Sequence, residues 1–227
     1  MNSLFTSHRD TLLSLGFAIS GKIPKVSSDP EIAILDLLPS FFEDRKLFRL
    51  LLAWLHVTSE LIHIERLNTL ARKLEPRLKV IMATVALKLT QQDRRWNLIH
   101  ESMKKSLPRI KANRIEIPEG YDNPFLLSKN GLDLEFARFG LRVAKLTPED
   151  SKKILVLRGV LAANGWLRLR ALIGSNFRAD VAYLYVSERA KGPADAARVL
   201  SCSRDTAYRN WRSLEDADVR KLLKLSA

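Results

Sequence analysis

Prolines punctuate the first half of the chain at the points where apolar residues stop recurring at helical spacing. Leu47, Leu50, Leu51, Trp54 and Leu55 form one stripe at intervals of three and four, with Glu43, Asp44, Arg45, Lys46 and Arg49 reading as its wet side. Leu61, Ile64, Leu67, Leu70 and Leu74 repeat the pattern before Pro76. Leu78, Ile81, Met82, Val85 and Leu89 repeat it up to Thr90, and Trp96, Ile99 and Met103 carry it to Pro108. A proline can open or close a helix but rarely sits inside one, so Pro30, Pro39, Pro76 and Pro108 divide the region into four or five helices. Antiparallel helices joined by short turns bury such stripes against one another as a bundle or as stacked hairpins.

The chain has 227 residues, enough for one large or two small domains. Its 38 Lys and Arg residues outweigh 25 Asp and Glu, a formal charge of +13. The excess is spread evenly: 18 basic and 11 acidic residues precede Arg114, and 20 and 14 follow from it. No basic tail carries it, so the expected partner is a polyanion met by folded surface. A single cysteine excludes an internal disulfide framework and a Cys-rich zinc site. No apolar run approaches the roughly 20 residues that span a bilayer, and the opening MNSLFTSHRD lacks the pattern of a secretory signal. The expected location is the cytoplasm, with no membrane contact and no cofactor.

Residues 112–145 read as a linker or irregular arm. The segment ANRIEIPEGYDNPFLLSKNG is rich in Pro, Gly and Asn, with a short alternating run from Arg114 to Ile117 that suits a strand. The expected layout is a helical region over 1–111, the arm over 112–145 and a second domain over 146–227. Helical periodicity returns at Thr147, whose Thr-Pro-Glu-Asp opening is a good helix start. Ile154, Leu157, Val160 and Leu161 then share a face up to Asn164-Gly165, and Leu167 to Ile173 forms a further short helix ended by Gly174.

The last fifty residues hold the most information. Val181, Leu184 and Tyr185 mark one helix, Pro193 to Leu200 a second, and Ser201-Cys202-Ser203 a tight turn. Ser203 is a natural N-cap for a third helix, Arg204–Ala217, whose Ala207, Trp211 and Leu214 form one apolar stripe. A short helix, a tight turn and a longer capped helix are the helix-turn-helix unit, and small Ala194, Ala196 and Ala197 allow the second helix a close crossing. Ser203, Arg204, Asp205, Thr206, Tyr208, Arg209 and Arg212 are left facing outward. Arginine can bridge O6 and N7 of guanine, and threonine can meet a thymine methyl, so this face suits a major groove.

The stretch AARVLSCSRDTAYRNWRSLEDADV resembles the winged-helix DNA-binding domains of bacterial transcriptional regulators. In those, a "small-x-x-Leu" helix and a "Ser-x-x-Thr-x-x-Arg" recognition helix precede "Leu-x-x-Ala-Gly-Leu". The resemblance implies double-stranded DNA as partner, a homodimer, and groove-facing roles for Ser203, Arg204, Thr206, Tyr208, Arg209 and Arg212. Lys221 and Lys224 would meet flanking phosphate. The family's glycine is Asp218 here, and the room after Val219 admits one strand, Val219 to Leu225, so the wing would be truncated or completed by a strand such as Arg114–Ile117. The fold class expected is mainly α, a helical bundle followed by a winged-helix-like domain with at most a short β-hairpin. The chain is also reminiscent of bacterial regulators found beside toxin or defence genes.

Two other classes compete. Arg95 and His100 match the Arg-x4-6-His signature of a family of dimeric helical ribonucleases, in which histidine acts as general base and arginine steadies developing charge. An antitoxin-like or scaffold protein would instead bind a partner through the Leu50/Trp54 or Leu67/Leu70 faces. His8, His56, His63 and His100 are too scattered for a metal site. No GxGxxG, GxxxxGK, Gly-x-Ser-x-Gly or HExxH motif occurs. Cys202 reads as a small residue filling a turn.

Overall fold

The computed structural model describes residues 7–106, 124–219 and 221. The architecture is mainly helical, and no strand occurs among the described residues beyond two isolated bridges, Phe17 with Ile154 and Leu132 with Ala144. The run Arg114–Ile117 lies outside the described residues.

The stripes read from the sequence form their helices. Arg45–Thr58 begins where the Asp44 carboxylate accepts the N–H groups of Lys46 and Leu47. It runs through the centre of the larger core, and Trp54 is fully buried with Nε1 donating to the Leu15 carbonyl at 2.7 Å. Pro30–Leu37, Ile64–Ala71, Pro76–Leu89 and Asn97–Ser106 pack around the same core. Pro76 opens its helix, where its missing N–H leaves no intrahelical bond unmade.

Four expectations change. Arg49 and Asp44 are buried, not wet: Asp44 is the cap just described, and Arg49 crosses to Asp150 at 2.5 Å and to the carbonyls of Ala144 and Lys145. Residues 132–144 do not run free of the core, because Phe136 and Leu141 are fully buried within it. Phe136 stands 6.0 Å from the Phe48 ring, edge to face, and 6.5 Å from Phe41. The helix opening at Thr147 ends after Pro148–Ser151; the chain then extends so that Ala18 N–H bonds to Lys153 O and Leu155 N–H to Gly16 O, and helix resumes at Leu157–Ala163. That break turns Leu157 out to solvent while Ile154 and Val160 stay buried. Gly16, at φ +85°, is required here, since a Cβ would lie 2.8 Å from the Val160 backbone. Finally, Val219 opens no strand: it begins a helical turn in which Lys221 N–H donates to Asp218 O. Asp218 itself takes φ +46°, the left-handed conformation for which the family uses glycine.

A second core gathers at the C-terminal end from Phe177–Val186, Pro193–Leu200 and Arg204–Asp216, with Trp166 completing it. The larger core takes its residues from Leu12 to Leu167, so the two abut at Trp166 and Leu167 in the helix Gly165–Ile173.

Candidate nucleic-acid interface

The three C-terminal helices pack on one another around their own core. Gly192-Pro193 starts the middle helix, whose Ala196, Ala197 and Leu200 are buried against its neighbours. Ser201 turns the chain at φ +54°, and Cys202 N–H returns to Ala197 O at 3.1 Å. Ser203 then caps Arg204–Asp216, its Oγ accepting Thr206 N–H at 3.1 Å. Ala207, Trp211 and Leu214 lock this helix down, and Trp211 meets the Tyr185 ring edge to face at 5.0 Å. Replacing Ser203 by alanine removes one terminal hydrogen bond and is expected to destabilise the protein by about 1 kcal/mol, read as a lower urea midpoint at unchanged slope.

The expected contact residues fall where the stripe leaves them. Ser203, Arg204, Tyr208, Arg209 and Arg212 are exposed on one helix, and Lys221 is exposed just beyond it. Arg204 has no side-chain partner among the described residues. Arg209 makes only a 3.4 Å bond from Nε to the Asp205 carbonyl. Arg212 donates to the Tyr208 hydroxyl at 3.2 Å and lies 5.6 Å from the centre of its ring, which orders both side chains. Thr206 is only half exposed and its hydroxyl is shared with Ser203 Oγ at 2.8 Å, so it belongs to the cap as much as to the outer face. Lys224 lies outside the described residues. Burial pushes the Cys202 thiol pKa up, the environment of an unreactive filler.

The sequence reading missed what holds this unit to the larger core. Glu31, Arg66, Arg170, Asp180 and His63 are all buried and joined in one hydrogen-bonded cluster. Arg170 donates to both Glu31 carboxylate oxygens at 2.7 Å and to Asp180 Oδ1 at 2.7 Å. Arg66 bonds to Glu31 and to Asp29, and its Nε reaches the Leu200 carbonyl at 3.2 Å, the end of the middle helix of the C-terminal unit. Both guanidinium groups lie within 6 Å of the Trp166 ring centre. Burial pushes Glu31 and Asp180 upward, but the facing arginines outweigh it and hold both carboxyls below the usual carboxylate range. A signal was present: Arg170 follows Trp166 by four positions and Leu167 by three, and Asp180 sits beside Val181 and one turn before Leu184. Charges on an apolar stripe read as buried and paired.

The rival sites do not assemble. His100 is buried, with Nδ1 against the Ala83 carbonyl at 2.9 Å, while Arg95 forks onto Asp93 and reaches the Glu60 carbonyl. The two side chains spend their bonds on different neighbours and share none. Of the residues expected to meet a protein partner, Trp54 and Leu67 lie in the core, while Leu50 and Leu70 are partly exposed. His56 and His63 do not share a helix, and no three potential metal ligands converge among the described residues. No described helix is long and apolar enough to cross a membrane. The chain matches no known family, curated protein or solved structure.

Proposed function

We propose that the protein binds double-stranded DNA sequence-specifically and acts in transcriptional control, with the helix Arg204–Asp216 in the major groove. The observation that carries this reading is the capped helix itself: its apolar side is consumed by Trp211, Ala207 and Leu214, and its free side holds three arginines and a tyrosine. Arg204 and Arg209 reach for bases or phosphates, Arg212 and Tyr208 act as one ordered pair, and Lys221 and Lys224 extend contact along the backbone. The charge of +13 supplies the non-specific attraction on which such readers depend. One helix reads only a few base pairs, so a homodimer on a two-fold site completes the proposal.

The experiment is binding to random and genomic DNA fragments across a salt series, beside an Arg204→Ala/Arg209→Ala variant. A selected sequence should emerge, with affinity falling steeply as salt rises. The double variant should weaken specific binding by about 2–6 kcal/mol if both arginines contact bases. Flat, weak binding that the variant leaves unchanged would refute the reading and favour a protein partner.

A further inference from the structure

A cleft of about 270 Å³ opens beside the charged cluster and is lined by His63, Glu65, Arg95, Leu98, Ser175 and Asn176. Four of these side chains, besides the exposed Glu65 carboxylate at the rim, have hydrogen-bonding capacity left over. His63 Nδ1 lies 2.6 Å from Asp180 Oδ2. A carboxylate only accepts, so Nδ1 carries a proton, and in the neutral form of the ring Nε2 is an acceptor. The ring meets Phe177 edge to face at 4.3 Å, and His63 borders the cleft while Asp180 does not. Nε2 has no partner among the described residues, although His63 is only 2% exposed.

Arg95 directs Nε and Nη2 to Asp93 and Glu60, which fixes the guanidinium plane and leaves Nη1 unused among the described residues. Asn176 turns its carbonyl oxygen to the N–H groups of Arg178 and Ala179 at the start of Phe177–Val186, so its Nδ2 is committed to neither. Ser175 Oγ donates to the Glu60 carbonyl at 2.5 Å and can still accept. A fixed acceptor on a buried histidine, a fixed cation and an amide donor around one concavity are the few convergent polar groups of a small-molecule site.

We propose that this cleft binds a small anion carrying a hydroxyl group. The anionic oxygens pair with Arg95 and the Asn176 amide, and the hydroxyl donates to His63 Nε2. A phosphate monoester of an alcohol and a hydroxycarboxylate share this chemistry. The proposal is independent of DNA binding.

The test is titration of the full-length protein with glycerol 3-phosphate, lactate and sulfate, followed by the ¹⁵N resonance of His63 Nε2. Glycerol 3-phosphate or lactate should move that resonance saturably, and the tighter of the two identifies phosphate or carboxylate as the anionic group. Sulfate, which carries no O–H at neutral pH, should bind more weakly. Arg95→Gln should weaken binding about tenfold. Leu98→Trp, placed at an exposed position of the cleft, should abolish binding while leaving the charged cluster and the unfolding midpoint unchanged. No saturable shift with either hydroxyl-bearing anion, or a shift that survives Leu98→Trp, overturns the proposal whatever the DNA measurements show.

Discussion

Replacing Arg170 by methionine is expected to destabilise the protein by about 3–5 kcal/mol. The side chain is fully buried and neutralises two carboxylates, Glu31 and Asp180, that are themselves fully buried. Methionine fills most of the volume and keeps the apolar stem, so packing changes little. What remains is two carboxylates deep in the interior, with Arg66 still paired to Glu31 and only the His63 ring hydrogen-bonded to Asp180. Chemical denaturation followed by both far-ultraviolet dichroism and tryptophan fluorescence measures the loss. A variant within 1 kcal/mol of the parent would mean that the cluster contributes geometry and no net stability.

The same cluster predicts how stability depends on pH. Glu31 and Asp180 titrate below their unfolded values in the folded protein. Their contribution is complete above the ordinary carboxylate pKa of about 4 and is lost as pH falls through the lower folded values. The parent should therefore lose stability steeply on the acid side. In Arg170→Met the largest downward pull on both groups is removed while burial still pushes them up, so the acid slope should flatten or reverse, protonation then relieving the buried charge.

Phe136→Ala is expected to cost about 3–5 kcal/mol. Phe136 lies in the stretch that composition marks as an arm, yet its ring is wedged between Phe41 and Phe48 and is fully inaccessible. A true linker position would tolerate the change within about 0.5 kcal/mol, so the measurement separates the two descriptions cleanly. A small effect would mean that residues 132–144 are held to the core mainly by polar ties such as Lys88 to Asp133 and Arg49 to the Ala144 carbonyl.

The longer helices were legible in the sequence because they satisfy local rules, with an apolar stripe at intervals of three and four and often a proline or capping side chain at the start. The short helices Arg9–Ser14, Pro124–Asn130 and Leu134–Ala137 carry no such stripe and were not legible. Ser203 and the Ala207–Trp211–Leu214 stripe show this at the candidate interface, where cap, core side and outer side all fall as the spacing dictates. The failures share a different cause. Arg49, Glu31, Arg66, Arg170 and Asp180 find their partners between ten and 139 positions away in the chain, and residue type favours solvent for each of them. Periodicity says which face a residue occupies, but not whether an opposite charge waits there. The arm misled for a related reason, since Pro, Gly and Asn between its apolar residues report turns and say nothing of whether Phe136 and Leu141 find a core.

Arg66 has a consequence for inheritance. Its guanidinium joins Glu31 and Asp29 in the first part of the chain to the Leu200 carbonyl beside the turn of the C-terminal unit. Recombination that exchanged residues after 146 for a related three-helix unit would bring a new partner to Glu31 and Arg66 at once. Unless the incoming segment carried its own arginine and aspartate at the positions of Arg170 and Asp180, Glu31 and His63 would each lose a buried partner. The two parts of this chain are therefore coupled: a segment exchanged after 146 must bring matching partners for Glu31 and His63.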